Sequence, residues 1–125
     1  MSWTLTQVAI GGALGASCRY MVGHYAVRMM GHGFPWGTLT VNIVGSFLMG
    51  VLITVLAEKG GARLSPLLVT GVLGGFTTFS SFSLDAVTLF ERGQAGLAGA
   101  YVFVSVMVSL AAIAVGITLT RALFA

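Results

Sequence analysis

Four apolar runs, roughly Leu5–Tyr25, Trp36–Ala57, Pro66–Phe90 and Gly96–Leu123, take up nearly all of this 125-residue chain. Each reaches the ~20 residues a helix needs to cross the hydrocarbon core of a bilayer. Lipid offers no partner to a backbone N–H or C=O, so runs of this length fold as helices, which satisfy both internally. The charge content fits: 7% of residues are charged, against roughly 25% in an ordinary soluble domain. The expected fold is an all-α membrane protein of four transmembrane helices in a single domain, residues 1–125. The first run carries Arg19 and Tyr20 where a signal peptide would be cleaved, and no basic stretch precedes it, so it reads as retained.

The same composition excludes several functions. Six cations are spread over loops and helix ends with no basic patch, so the net charge of +3 does not point to nucleic acid. The lone Cys18 lies in an apolar run and forms no intrachain disulfide. His24 and His32 flank the first loop without metal-ligand company. No nucleophile, base and orienting group can be assembled, so an enzyme is not expected.

One run is built to stop being a helix. Gly71, Gly74 and Gly75 fall within five residues of one another, and Thr77, Thr78, Ser80, Ser81 and Ser83 follow at once. Each glycine costs a helix about 1 kcal/mol relative to alanine, and the hydroxyls offer the backbone competing bonds. Irregular backbone at membrane depth persists where protein or a water-filled cavity satisfies it, and such breaks mark ion or substrate sites. The expected break exposes carbonyls near Gly74 and Thr77, which two copies meeting on an axis could present to a hard monovalent cation.

Polar residues elsewhere form stripes. Thr38, Asn42 and Ser46 recur at i, i+4, i+8 and share one face of the second run. Tyr101, Ser105 and Ser109 repeat that spacing on the fourth. Membrane hydroxyls often only bond back to the preceding turn, so either stripe alone reads equally as structure. Phe76, Phe79 and Phe82 stand among hydroxyls at i, i+3, i+6. Such aromatics are ordinarily core, but phenyl edges are electropositive and, beside neutral donors, make a weakly anion-attracting lining. Arg19 could set an electropositive vestibule, or could bond a helix C-terminus. Asp85, near the end of the third run, is expected to pair with an arginine near the interface.

Four crossings put both termini on one side, with Lys59, Arg63 and Arg121, and leave Arg28 and Arg92 on the other. Orientation follows the Lys/Arg excess of short loops, and three against two gives little preference. A chain that inserts both ways up closes naturally as an antiparallel homodimer about an axis in the membrane plane. A weak bias or the order of insertion could still fix one orientation. Gly11-x-x-x-Gly15 and Gly71-x-x-x-Gly75 offer close helix contact, within a chain or between two.

Three blocks, Gly11-Gly12-x-x-Gly15-Ala16-x-x-Arg19-Tyr20, Gly37-Thr38-x-x-Val41-Asn42-x-x-Gly45-Ser46-Phe47-x-x-Gly50 and Gly74-Gly75-Phe76-Thr77-Thr78-Phe79-Ser80-Ser81-Phe82-Ser83, closely resemble the Fluc (CrcB-like) fluoride channels. The third block is the most specific. The resemblance implies a dual-topology homodimer in the bacterial inner membrane that passively exports fluoride through two antiparallel pores. It also implies that Asn42, Phe79 and Phe82 line each pore, with Tyr101, Ser105 and Ser109 as a polar track and Arg19 in a vestibule. Thr38, Ser80 and Ser83 are further pore candidates, and the motif does not settle which of Ser80, Ser81 and Ser83 faces the ion. The carbonyls of Gly74 and Thr77 would hold a structural sodium ion. The competing reading is a small dual-topology, proton-coupled multidrug exporter, which needs a mid-membrane carboxylate; Glu58 and Glu91 lie in loops and Asp85 near a helix end.

Overall fold

The computed structural model describes residues 1–125 and is helical almost throughout. Helix α1 runs over Ser2–Met30 and α2 over Trp36–Lys59. After a 3-10 turn at Ala62–Leu64, α3 begins as a π-helix over Pro66–Leu73 and ends in an α-helical turn at Gly74–Phe76. Helix α4 spans Phe79–Glu91 and α5 Ala95–Phe124. Three stretches are long and apolar enough to cross a membrane: Trp36–Lys59, Ala62–Glu91 and Ala95–Phe124. Helix α1 is as long, at 29 residues, but Gln7, Arg19, His24 and Arg28 interrupt its apolar surface.

The connections are glycine turns. Gly31, Gly60, Gly61 and Gly93 have φ between 79° and 89°, a region that costs a residue with a Cβ but not glycine. Sharp reversals bring the ends of the bundle into register. Gln7 Nε2 donates to the Arg63 carbonyl at 3.2 Å, and Lys59 Nζ sits 5.0 Å from the centre of the Phe124 ring. Both termini therefore lie at the end that carries Lys59, Arg63 and Arg121, while Gly31, His32 and Arg92 line one cavity at the other.

Helix packing rests on backbone contact. The glycine row of α1 meets the glycine row of α3: a Cβ on Gly75 would stand 2.7 Å from the Gly12 carbonyl oxygen, and one on Gly71 2.8 Å from the Gly11 Cα. The two small-residue rows are thus used against each other within one chain. Helices α2 and α5 make a similar seam, where Gly50 faces the Ile113 carbonyl and Gly116 the Phe47 carbonyl. A small aromatic core of Leu39, Phe82, Leu89, Ala98 and Tyr101 joins α2, α4 and α5.

Only 18 of 125 residues are buried, so one chain has little interior in which to hide polar groups. Large apolar side chains such as Leu14, Phe90, Phe103 and Leu110 project outwards. In water that surface would aggregate; in a membrane it is the surface lipid requires.

Candidate functional site

The helical path of 66–91 gives way at two residues. Thr77 (φ −89°, ψ 158°) and Thr78 (φ −154°, ψ 123°) are extended. Their polar groups are met by specific side chains. Asn42 on α2 pairs with Thr78 as a strand would: its Nδ2 donates to the Thr78 carbonyl at 3.0 Å and its Oδ1 accepts from the Thr78 N–H at 2.8 Å. The Thr78 hydroxyl caps α4 by accepting from the Ser81 N–H at 3.1 Å. Arg19 Nε donates to the Gly75 carbonyl at 3.0 Å, closing the C-terminus of α3 with a cation where the helix dipole favours one. No cap, turn or side-chain bond ends on the carbonyls of Gly74, Phe76 or Thr77.

Beside the break lies a cavity of about 340 Å³, and eight of the residues singled out in the sequence line it: Asn42, Ser46, Thr77, Thr78, Phe79, Phe82, Ser105 and Ser109. Two of these are unusual. The hydroxyls of Ser105 and Ser109 are buried and have no hydrogen-bond partner. Other hydroxyls in the chain bond back to the preceding turn: Thr6 to Ser2, Ser17 to Ala13, Thr54 to Gly50 and Thr120 to Gly116. An unpaired buried hydroxyl costs roughly 1–3 kcal/mol, so native proteins supply a partner, whether protein, water or ligand. Both serines are among the residues that line the cavity, and neither hydroxyl has a partner within the chain.

Phe79 and Phe82 line the cavity and begin a row of rings whose further members, Tyr101 and Phe34, lie outside its lining. Phe79 and Phe82 lie 5.4 Å apart, Phe82 and Tyr101 another 5.4 Å, and Tyr101 meets Phe34 edge-on at 5.4 Å. Tyr101 is fully buried, and its hydroxyl donates to Asp85 Oδ2 at 3.2 Å. The partner expected for Asp85 was an arginine; burial of the phenol beside α4 supplies a neutral donor instead. Thr38 lines a separate cavity of about 230 Å³ together with Asp85, His32 and Arg92. Arg19, His24, Arg28, Thr38 and Ser81 share a third groove.

Not every candidate joins the main cavity. The Ser83 hydroxyl bonds back to the Phe79 carbonyl at 3.0 Å, and Ser80 faces the Thr78 hydroxyl at 3.2 Å; neither lines it. Sequence reasoning passed over Met49 and Phe34. Met49 lies seven residues beyond Asn42, on the polar stripe, and lines the cavity with Ser46. Phe34, in the first loop, carried no signal beyond its aromatic type. The chain holds no cluster of three His, Cys, Asp or Glu, so a cation would depend on backbone oxygens.

A multi-pass helical membrane protein with an interrupted helix beside a hydroxyl-lined cavity belongs among proteins that pass small solutes through a bilayer. Residues 6–117 match the family described as CrcB-like protein, camphor resistance (CrcB), and the chain belongs to that family. It is 63% identical over 118 residues to the fluoride-specific ion channel FluC of Cereibacter sphaeroides, covering 94% of both chains. It is 57% identical to that of Agrobacterium fabrum, over 96% of this chain and 98% of the relative. With that of Paracoccus denitrificans it shares 54% identity over the full length of both.

Proposed function

We propose that this chain is a fluoride-selective passive channel that lets cytoplasmic fluoride leave the cell down its electrochemical gradient. The observation that carries the reading is the pair of buried, unpartnered hydroxyls on Ser105 and Ser109, in residues that line one cavity with Phe79 and Phe82. Fluoride holds its water tightly, so a path must replace that water with donors. Neutral hydroxyls and ring edges do so without binding the ion too firmly to release it. One Nδ2 hydrogen of Asn42 remains after the bond to Thr78 and can add a donor at the break. Arg19, His24 and Arg28 would make the third groove an electropositive vestibule.

The working assembly is an antiparallel homodimer in the bacterial inner membrane, with a pore on each side of the axis. The thin interior and the near-balanced loop charge support it. The free Gly74 and Thr77 carbonyls are hard oxygen donors of the kind a sodium ion takes, and two copies would double their number. Such an ion would bind the halves of the dimer together and offset the repulsion between nearby anions. Fluoride enters cells as the neutral acid and is trapped on dissociation; a membrane potential, worth about 2.3 kcal/mol per charge per 100 mV, drives the anion out.

Fluoride efflux from liposomes holding the purified protein, read with a fluoride electrode after addition of a potassium ionophore, tests the reading. Rapid fluoride release with little chloride release is expected. A proton-coupled multidrug exporter would release neither ion and would need a mid-membrane carboxylate, a place that Asp85, held by Tyr101 and lining a cavity with the loop residues His32 and Arg92, does not take.

A further inference from the structure

In an uninterrupted α-helix each N–H bonds the carbonyl four residues back. Across the break that rule pairs Thr78 N–H with the Gly74 carbonyl and Ser81 N–H with the Thr77 carbonyl. Both donors have been taken by side-chain oxygens. Asn42 Oδ1 accepts the Thr78 N–H at 2.8 Å, and Thr78 Oγ1 accepts the Ser81 N–H at 3.1 Å. The same rule pairs Phe79 N–H with the Gly75 carbonyl, which Arg19 Nε occupies instead at 3.0 Å. We infer that Asn42 and the Thr78 hydroxyl are positioning residues for a monovalent cation: each removes one N–H from the helical ladder and so leaves one carbonyl, Gly74 or Thr77, open to the ion. Arg19 meanwhile keeps Gly75 out of the ligand set.

The inference deepens the proposed function and rests on its cation. It assigns Asn42 a second task besides facing the cavity, and gives Thr78 a task that exposure and polarity alone do not suggest. Capping of α4 by itself accounts for the Thr78–Ser81 bond; the match that capping does not account for is Asn42 Oδ1 on the Thr78 N–H, the i→i−4 partner of the Gly74 carbonyl. Together the two bonds leave both carbonyls of the proposed site, Gly74 and Thr77, without a helical donor, as a break that presents oxygens requires.

The test is thermal unfolding of the purified full-length dimer in detergent, titrated with sodium chloride at constant ionic strength against N-methylglucamine chloride. Wild type should gain stability with sodium. Thr78→Val, which keeps shape but loses the hydroxyl, should need about tenfold more sodium for half-maximal stabilisation, and Thr78→Ser should restore the wild-type value. Asn42→Ala should shift it likewise. Asn42→Asp keeps an acceptor for the Thr78 N–H and should retain the sodium response while losing fluoride flux. If Thr78→Val does not fold, the Asn42→Asp response decides, and its loss would overturn the inference. Lower stability in Thr78→Val or Asn42→Ala with an unmoved sodium midpoint would show mere structural roles and overturn it too. A wild type indifferent to sodium removes the inference and the cation together, while liposome efflux still judges the channel by itself.

Discussion

Ser105 and Ser109 differ from other hydroxyls on these helices by what they lack. Thr120, one of several that bond back, spends its hydrogen on Gly116; the two serines have nothing inside the chain to give theirs to. Removing an unpaired buried hydroxyl loses no protein hydrogen bond and relieves its desolvation cost, so it is neutral to stabilising. The double variant Ser105→Ala/Ser109→Ala should therefore unfold at or above the wild-type temperature. If each serine supplies an ordinary hydrogen bond of ~1 kcal/mol to fluoride at the barrier, flux falls about thirty-fold. Thr120→Val is the control, with unchanged flux. Liposome efflux and thermal unfolding, run on the same preparations, check both halves. The two phenylalanines divide in the same way. Phe82 is 9% exposed and part of the aromatic core, whereas Phe79 is 77% exposed. Phe79→Ile should lower flux with little change in the unfolding of the chain, and Phe82→Ile should lower both; equal flux in Phe79→Ile and wild type would take that ring out of the path.

The interrupted third helix depends on the first. Helices α1 and α3 touch backbone to backbone, and a Cβ on Gly75 would meet the Gly12 carbonyl at 2.7 Å and the Ala16 nitrogen at 3.1 Å. Neither can turn aside as a side chain would, so the helices must part. Gly75→Ala should cost about 1–3 kcal/mol, the usual penalty of overpacking. Gly99→Ala, on α5 with nothing within 4 Å, should gain up to ~1 kcal/mol from helix propensity. Unfolding temperatures of the two variants, measured side by side, should move in opposite directions. This element also marks how far the sequence could be read. Glycines followed by hydroxyls announced a departure from helix, because both are local preferences, and the extended dihedrals fall at Thr77 and Thr78. The stripe of Tyr101, Ser105 and Ser109 was legible for the same reason, since spacing alone fixes a helical face. What spacing could not disclose was partnership. That Asn42 would clamp Thr78, Arg19 cap Gly75 and Asp85 accept a hydrogen bond from Tyr101 depends on how α1, α2 and α5 lie against the break, and no periodicity encodes that. The π-helical winding of Pro66–Leu73, a segment packed closely on α1, was equally hidden from a reading by 3.6-residue spacing.

At the scale of the whole molecule, orientation is the open degree of freedom. The hydrogen bond from Gln7 to Arg63 and the contact of Lys59 with Phe124 gather both termini and three cations at one end, against Arg28 and Arg92 at the other. A difference of one positive charge scarcely biases insertion. Four lysines added to the Glu91–Gln94 turn would set six cations against three and should fix one orientation. An antiparallel assembly needs both orientations, so the fixed variant alone should carry almost no fluoride. Its mirror, with two lysines added to the Glu58–Arg63 turn, should be equally inactive, and co-expression of the two should restore efflux. Rescue by co-expression separates a topological defect from damage to the pore, since a damaged pore would stay damaged beside any partner. Full efflux from a single, uniformly oriented population would refute the antiparallel dimer. The two hydroxyls of Ser105 and Ser109 would then have to find the rest of their path within one chain or between parallel ones.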